Sequence, residues 1–364
     1  SVTREWAQRP FRAHVRLFSS RKGASMQNAS TSSTSAYQRI SIASQFVIYD
    51  EDREFQMPPE RTALAFTDET NPAIPAKHDD YVFRRDVLRD VLAFLQKPNG
   101  DALYLSGPTG SGKTSVITET AARLNWPVQQ VTCNGRMEFS HLKGQFVIGS
   151  ARPGEAPQMR FQYGPLASAM RFGQILLLNE VDLMDPAELA GLNDVLEGRP
   201  LVIAENGGEI IKPHPMFRCV VTGNSFGSGD MSGMYQGIQQ QNIAALDRYR
   251  FLTVGYSSPA VEKAILAKKA PLITEEIRNA MIQLANEVRK AFMGEDGEGG
   301  TLALTMSTRT LVRWAMLAQD FRSDPRKLSG ALDRALLYRA EKTDRDAVNM
   351  MATTIFGPAW SKAN

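Results

Sequence analysis

Short apolar segments alternate with amphipathic ones through the middle of the chain. Short, mainly apolar segments, typical of strands buried in a sheet, cover residues 102–105, 127–133, 174–178 and 217–223. Residues 81–96 and 115–125 repeat apolar positions at the spacing of one helix face. Because strands that alternate with helices form parallel sheets, we predict an α/β domain with helices on both faces of a parallel sheet.

Two segments interrupt this alternation with hairpin patterns. Residues 145–163 contain two β-like pieces around Ala151-Arg152-Pro153-Gly154, and residues 201–211 centre on Asn206-Gly207, a dipeptide that favours tight hairpin turns. After Pro259 the pattern is helical and predicts helices at 260–269, 274–293, 308–321 and 325–342. Glycine and acidic residues at 295–300 predict a loop between two of these helices.

These patterns divide the chain into four predicted parts. A basic tail rich in Ser and Arg, expected to be disordered, covers residues 1–45, and an extended arm that contains prolines covers 46–80. The α/β domain is predicted at 81–256, with the hairpins inserted near 145–163 and 201–211. A helical domain is predicted at 257–364.

Length and composition exclude several classes of protein. The 364 residues suffice for two domains with hydrophobic cores, and 43% of them are hydrophobic. No apolar run approaches the roughly 18–20 residues of a membrane span, so we expect no membrane insertion. Cys133 and Cys219 both fall in apolar segments, which indicates buried free thiols in a reducing compartment rather than a disulfide framework.

The basic charge is concentrated in the tail. Residues 1–45 hold seven basic residues and one acid, so the rest of the chain is slightly acidic although the whole carries a net charge of +3. Such an Arg- and Ser-rich tail is typical of organellar transit peptides. Alternatively, Met26 is the natural start and residues 1–25 are an upstream extension, which predicts a cytoplasmic protein. We favour the extension.

A glycine-rich motif joins the first apolar run to the following helix. Its residues are Gly107, Pro108, Thr109, Gly110, Ser111, Gly112, Lys113 and Thr114, followed by Ser115. The pattern G-x-x-x-x-G-K-[ST] between a strand and a helix is typical of a loop whose backbone N–H groups surround nucleotide phosphates. Lys113 is expected to reach the β- and γ-phosphates, and the Thr114 hydroxyl to bind Mg²⁺. The sequence therefore predicts binding of ATP or GTP.

A candidate catalytic pair, Asn179-Glu180, ends the apolar run at 174–178. In nucleotide hydrolases the strand beside the phosphate loop normally ends in Asp, which supports Mg²⁺ through its water shell, and Glu, which polarises the attacking water. Glu180 fits the second role. Asn179 can accept a hydrogen bond from a water on Mg²⁺ but supplies no charge, so we expect slower turnover. Asp182, two residues further on, is a candidate to compensate.

Two further polar residues are candidates for the same site. Asn224 follows the run at 217–223, where an amide can orient the attacking water, although Asn also serves in turns. Arg309 lies in the first turn of a predicted helix, where its charge opposes the helix dipole. This placement indicates either a phosphate contact or a salt bridge.

The order of these parts resembles that of the AAA+ ATPases, within them the MoxR-like branch, and most closely the CobS type of cobalt-chelatase ATPase subunit. Besides the phosphate loop, the stretches that carry the likeness are 122–127 with Asn125-Trp126-Pro127, 223–230, Met234-Tyr235-Gln236-Gly237, Asp247-Arg248-Tyr249 and 307–312. The resemblance runs from about residue 70 to the end of the chain. It implies a P-loop NTPase αβα sandwich followed by a helical AAA+ lid domain.

The resemblance also implies roles for single residues. Residues 107–114 match Walker A, and Asn179-Glu180 occupies Walker B. Asn224 looks like sensor 1, Arg309 looks like sensor 2, and Arg248 looks like the arginine finger, with Arg250 as the second candidate. The hairpins match insertions that in this family face the ring centre or the partner.

An arginine finger acts on the ATP of a neighbouring subunit, so the resemblance implies a hexameric ring that binds ATP and Mg²⁺ at its interfaces. It further implies that the ring remodels a partner complex together with a von Willebrand factor A domain protein, in some cases for metal insertion. The chain's own histidines, at positions 14, 78, 141 and 214, lack metal-ligand spacing.

The sequence leaves two alternative functions open. One is a nucleic-acid motor with Lys143, Arg152 and Arg160 in its pore, which the slightly acidic body disfavours. The other is a nucleotide-stabilised scaffold whose turnover is slow because of Asn179.

Overall fold

The structure, a computed structural model, describes residues 36–50, 53–149, 156–225, 243–294 and 300–361. The predictions for residues 1–35, for the hairpin turn with Arg152, for most of the loop at 295–300 and for Met234-Tyr235-Gln236-Gly237 lie outside these residues. Among the described helices, none is long and apolar enough to cross a membrane.

Five short strands precede the first long helix. They are β1 (Tyr37–Ser41), β2 (Val47–Asp50), β3 (Arg53–Phe55), β4 (Thr62–Phe66) and β5 (Val82–Arg84). β1 pairs with β4, while β2 pairs with β3 and β5, and Ile42 and Ile48 are buried in the core that these strands share with the α/β domain. The predicted tail at 1–45 therefore extends too far, and the arm at 46–80 contains strands. The predicted boundaries of the tail and the arm failed because these strands are short. In addition, polar residues flank the few apolar residues in them.

The central elements follow in chain order. They are α1 (Arg85–Gln96), β6 (Ala102–Ser106), α2 (Lys113–Arg123), β7 (Val128–Thr132), α3 (Phe139–Lys143), β8 (Gly144–Gly149), β9 (Gln158–Tyr163), α4 (Pro165–Phe172), β10 (Ile175–Asn179), α5 (Pro186–Leu189), α6 (Asn193–Leu196), β11 (Leu201–Ile203), β12 (Glu209–Ile211), β13 (Arg218–Gly223), α7 (Ile243–Leu246) and β14 (Tyr249–Thr253).

Five of these strands form a parallel sheet in the order β14–β6–β13–β10–β7. Every residue of β6, β10 and β13 is buried, as expected for continuous apolar runs in a sheet that is covered on both faces. The predicted α/β fold with a parallel sheet is confirmed.

Two local predictions are wrong. The strand that ends at Asn179 does not lie beside the phosphate-loop strand, because β13 is inserted between β10 and β6 and pairs with both. The helix predicted from residue 81 begins only at Arg85, since the three residues before it extend and pair with β2 as β5.

Both predicted hairpins are present. β8 pairs with β9 from Gly144↔Tyr163 to Gly149↔Gln158, and β11 pairs with β12. The Lys143 ammonium lies 2.8 Å from a Glu205 carboxylate oxygen, and the Tyr163 hydroxyl donates to Glu209 at 2.8 Å. These contacts hold the two hairpins against one another.

The C-terminal region is helical, as predicted. Its helices are α8 (Pro259–Lys269), α9 (Glu275–Met293), α10 (Thr308–Asp320), α11 (Ser329–Ala335), α12 (Lys342–Phe356) and α13 (Pro358–Ser361). They enclose a second core around Trp314, whose indole N–H donates to the Leu328 carbonyl at 2.9 Å. The helix predicted at 325–342 is shorter than expected. α12 was not predicted, because its first residues are polar and its apolar stripe is narrow.

Candidate functional site

The glycine-rich loop occupies the carboxyl end of β6 and leads into α2. A Cβ atom on Gly107 would lie 2.1 Å from the Val254 carbonyl oxygen, so only glycine lets the loop leave the sheet at this point. Gly110, with φ 75°, packs against Ser307 at the start of α10, where a Cβ would lie 2.5 Å from the serine Cβ. The first of these close approaches holds the loop against the end of β14, and the second joins it to the helical region.

Lys113, the first residue of α2, folds back over this loop. Its ammonium donates to the carbonyls of Gly107 at 2.6 Å and Pro108 at 3.0 Å and to Asn224 Oδ1 at 3.1 Å. Burial lowers the pKa of Lys113 to about 8, and the charges of Asp182 and Glu180 oppose this shift. Among the described residues, every group that accepts a hydrogen bond from this ammonium is neutral. A buried cation in this position suits an anion such as a phosphate.

Nucleotide affinity is expected to fall at alkaline pH for this reason. The free ammonium loses its proton as the pH rises through about 8, whereas a bound phosphate favours the protonated form. We expect the Kd of a fluorescent ATP analogue to rise about tenfold between pH 7 and pH 9. Circular dichroism at pH 9 controls for loss of fold, and a Kd that stays constant over this range in folded protein contradicts the expectation.

Thr114 and Asn179 form a hydrogen bond at the carboxyl edge of the sheet. The Thr114 hydroxyl donates to Asn179 Oδ1 at 2.7 Å, and Asn179 is 6% exposed at the carboxyl end of β10. The threonine oxygen keeps a lone pair and the amide oxygen is an acceptor, so both fit a hydrated Mg²⁺. The chemistry of these two side chains is therefore compatible with the ion, although the amide contributes no negative charge.

Glu180 follows Asn179 and leaves the strand in a left-handed conformation, with φ 56°. Its side chain is exposed and lines a cavity of about 90 Å³ together with Lys113, Thr114 and Arg309. Its backbone N–H donates to Thr222 Oγ1 at 3.2 Å. The structure thus brings the predicted carboxylate to the predicted phosphate-binding residues.

Asn224 lies just beyond β13, between the phosphate loop and the strand of Asn179. Its Oδ1 accepts from Lys113 and lies 3.4 Å from the Thr109 hydroxyl, while its backbone N–H donates to Asp182 Oδ2 at 2.7 Å. Asp182 is fully buried. This aspartate, suggested by the sequence as a substitute for the missing charge, therefore contacts Asn224 rather than the Thr114–Asn179 pair.

Arg309 joins the site from the helical region. It is exposed in the first turn of α10, whose N-cap Ser307 accepts from the Thr310 N–H at 3.1 Å. Arg309 also lines a second cavity, of about 270 Å³, that shares the phosphate-loop wall and has mainly apolar sides. Tyr81, Val82, Val116, Val254, Ile265 and Val312 supply these sides.

Arg248 and Arg250 lie at the other edge of the sheet. Tyr249, which follows Arg248, pairs with Ala102 at the amino end of β6, whereas the phosphate loop leaves the carboxyl end after Ser106. The distance along β6 from Ala102 to the start of the phosphate loop at Gly107 is about 16 Å, because a strand rises roughly 3.3 Å per residue. Arg248 forms an ion pair with Glu197, and Arg250 lies 3.0 Å from Asp101. The structure therefore does not bring these two arginines to the phosphate loop of their own chain.

Two features of the site were not predicted. Thr222 contacts both Asn179 and Glu180, and its only signal in the sequence is a polar residue within an apolar strand. Asp80 and Lys269 form an ion pair at the larger cavity, between the segment before β5 and α8. Residues so distant along the chain give no pattern that reveals their contact. Among the described residues, no cluster of three or more His, Cys, Asp or Glu side chains has the geometry of a metal site.

Comparisons with known proteins cover both the sheet and the helices. A family model described as "AAA domain (dynein-related subfamily)" matches residues 102–239, and one described as "CbbQ/NirQ/NorQ C-terminal" matches residues 262–355. The chain is 31% identical over 253 residues to "Aerobic cobaltochelatase subunit CobS" of Sinorhizobium sp, covering 68% of this chain and 74% of that protein. It is 26% identical over 244 residues to "Denitrification regulatory protein NirQ" of Stutzerimonas stutzeri, covering 65% of this chain and 84% of that protein. This chain belongs to the MoxR-like branch of the AAA+ ATPases.

Proposed function

We propose that this ATPase hydrolyses ATP with Mg²⁺ at sites shared between neighbouring subunits of a ring. The observation that carries the proposal is the separation of the predicted groups within one chain. Lys113, Glu180 and Asn224 lie at the carboxyl edge of the sheet, whereas Arg248 lies at the amino edge. An arginine that cannot reach its own phosphate loop is suited to the loop of a neighbour.

The residues at the carboxyl edge divide the work of hydrolysis. Lys113 and Arg309 bind the terminal phosphates, Glu180 accepts a proton from the attacking water, and Asn224 orients that water. The larger cavity, with its apolar sides, takes the nucleoside. Thr114, and Asn179 through a water molecule, would hold Mg²⁺, which would supply positive charge to the phosphates.

Restoring a carboxylate at position 179 is expected to increase turnover. The Asn179→Asp variant adds a negative charge 2.7 Å from Thr114, where it strengthens the hold on Mg²⁺. We expect the Mg²⁺ concentration for half-maximal activity to fall about threefold or more and kcat to rise by a similar factor. The matched control is Asn193→Asp, which makes the same change at the start of α6, away from the phosphate loop. Equal or lower activity in Asn179→Asp contradicts the proposed role.

The ring itself is open to measurement. Six copies closed by head-to-tail contacts would place Arg248 of each subunit at the next phosphate loop. Multi-angle light scattering with a non-hydrolysable ATP analogue is expected to give the mass of about a hexamer. A monomer at every protein concentration and with nucleotide present contradicts the proposal.

The work done by the ring is proposed from its relatives. Similarity to a cobaltochelatase subunit and to a denitrification regulatory protein supports action on a partner complex, with metal insertion as one such task. We propose a von Willebrand factor A domain protein as the adaptor, with the linked hairpins β8–β9 and β11–β12 as its contact. Co-purification from the native host with such a protein, and ATPase stimulation by it, are the expected results. Stimulation by DNA alone instead supports a nucleic-acid motor.

A further inference from the structure

Thr222 occupies a buried position between the two strands that carry the site. It lies near the carboxyl end of β13 and is 2% exposed. Its Oγ1 accepts the backbone N–H of Glu180 at 3.2 Å and lies 3.4 Å from Asn179 Oδ1, to which its own hydrogen points. Asn179 Oδ1 also accepts from Thr114 at 2.7 Å. A line of hydrogen bonds thus runs from the first turn of α2 to the backbone of Glu180.

The backbone of Glu180 needs such support. Its φ of 56° and ψ of 45° lie in the left-handed region, which is unfavourable for a residue with a side chain and persists only where the surrounding contacts offset the strain. The Glu180 carbonyl accepts from the Leu183 N–H at 3.0 Å, so Thr222 and the following turn fix the two polar groups of this residue.

The direction of the Glu180 carboxylate depends on this backbone. The side chain is exposed, and none of the described residues donates a hydrogen bond to its carboxylate. The backbone conformation at Glu180 therefore sets the direction in which its side chain leaves the end of β10. A shift of the 179–180 peptide moves the carboxylate directly, and displacements of about 1 Å can cost about a hundredfold in rate.

We infer that Thr222 is a positioning residue for hydrolysis, which holds Glu180 in its left-handed conformation through the backbone N–H. The inference rests on the proposed role of Glu180 as the base. Thr222 makes no hydrogen bond to Lys113 or Arg309 in the described structure, and its contact with Asn179 Oδ1 is the longer of its two at 3.4 Å. We therefore expect loss of its hydroxyl to change the rate of hydrolysis more than nucleotide affinity.

The test compares variants that keep or remove the hydroxyl. Thr222→Val preserves the branched shape and is expected to lower kcat at least about tenfold, with the KM and the Kd of an ATP analogue within about twofold of wild type. Thr222→Ser keeps the hydroxyl and is expected to stay within about threefold in kcat. Thr120→Val is the control, because Thr120 is also fully buried and its hydroxyl donates to Val116 at 2.6 Å in α2. Thermal unfolding of every variant separates loss of stability from loss of rate.

A double-mutant cycle with Glu180→Gln distinguishes the positioning role of Thr222 from the proposed role of Glu180 as the base. If Thr222 acts through Glu180, Thr222→Val lowers the single-turnover rate no further in the Glu180→Gln background. Three results overturn the inference. They are a wild-type kcat in Thr222→Val, a kcat in Thr222→Ser as low as that in Thr222→Val, and a loss of nucleotide affinity in Thr222→Val as large as its loss of kcat. Activity in Glu180→Gln itself overturns the role of Glu180 instead. Should Thr222→Val not fold, Thr222→Ala removes the same oxygen and must show the same split.

Discussion

Replacing Glu180 with glutamine is expected to lower kcat by about a hundredfold or more while nucleotide binding stays intact. Glutamine has nearly the same shape as glutamate but cannot accept a proton from water. The contacts of Lys113 with the loop and with Asn224 do not involve the Glu180 side chain, so affinity is preserved. Steady-state ATPase rates and titration with a fluorescent ATP analogue measure the two effects separately.

The matched control is Glu205→Gln, which makes the same chemical change on an exposed carboxylate paired with Lys143 in the hairpin region. Its ATPase rate is expected to equal that of the wild type. If the Glu180 variant also hydrolyses ATP at the wild-type rate, Glu180 is not the base.

Replacing Arg248 with alanine is expected to lower kcat by about a thousandfold, the scale on which arginine fingers act. Binding is expected to persist, because the loop, Lys113 and Arg309 hold the phosphates in the proposed site, whereas an arginine finger acts mainly on the charge of the transition state. The Arg250→Ala variant serves as the comparison, since Arg250 lies two residues further along the chain, within β14, and pairs with Asp101. If Arg250→Ala loses the activity and Arg248→Ala keeps it, the two assignments exchange. Full activity in both variants contradicts an arginine finger from this strand.

The parts of the site that the sequence predicted are those that depend on local pattern. The phosphate loop needs a strand, glycines and a helix start within about fifteen residues, and all three are adjacent along the chain. Mainly apolar runs predicted β6, β10 and β13, because strands buried on both faces contain few polar residues. The long helices α9 and α10 were predicted for a similar reason, since their apolar stripes are regular.

The order of strands could not be predicted from the same patterns. β13 follows β10 by almost forty residues of chain, yet it pairs between β10 and β6. Nothing in the periodicity of either strand specifies its neighbour, because any buried parallel strand offers the same hydrogen bonds. The position of Thr222 beside Glu180 depends on this order and was invisible for the same reason.

Short and polar elements were not predicted from the sequence for a different physical reason. β1 consists mostly of polar residues, and it is stabilised by pairing with the apolar β4 and by the burial of the neighbouring Ile42 in the core. α12 begins with Lys342 and several polar residues, and only Val348 and Ala352 are fully buried on its inner face. In both cases tertiary packing outweighs a weak local preference.

A mixture of two inactive variants tests the shared site most directly. Glu180→Gln subunits lack the base but offer Arg248, whereas Arg248→Ala subunits keep the base and need a neighbour's arginine. In mixed rings about a quarter of the interfaces unite an intact base with an intact arginine, because subunits combine at random. We predict that an equimolar mixture recovers about a quarter of the wild-type ATPase rate although each variant alone is inactive. Formation of mixed rings is verified by pull-down of one tagged variant with the other. If these mixed rings remain inactive, the site is not completed by the neighbouring subunit.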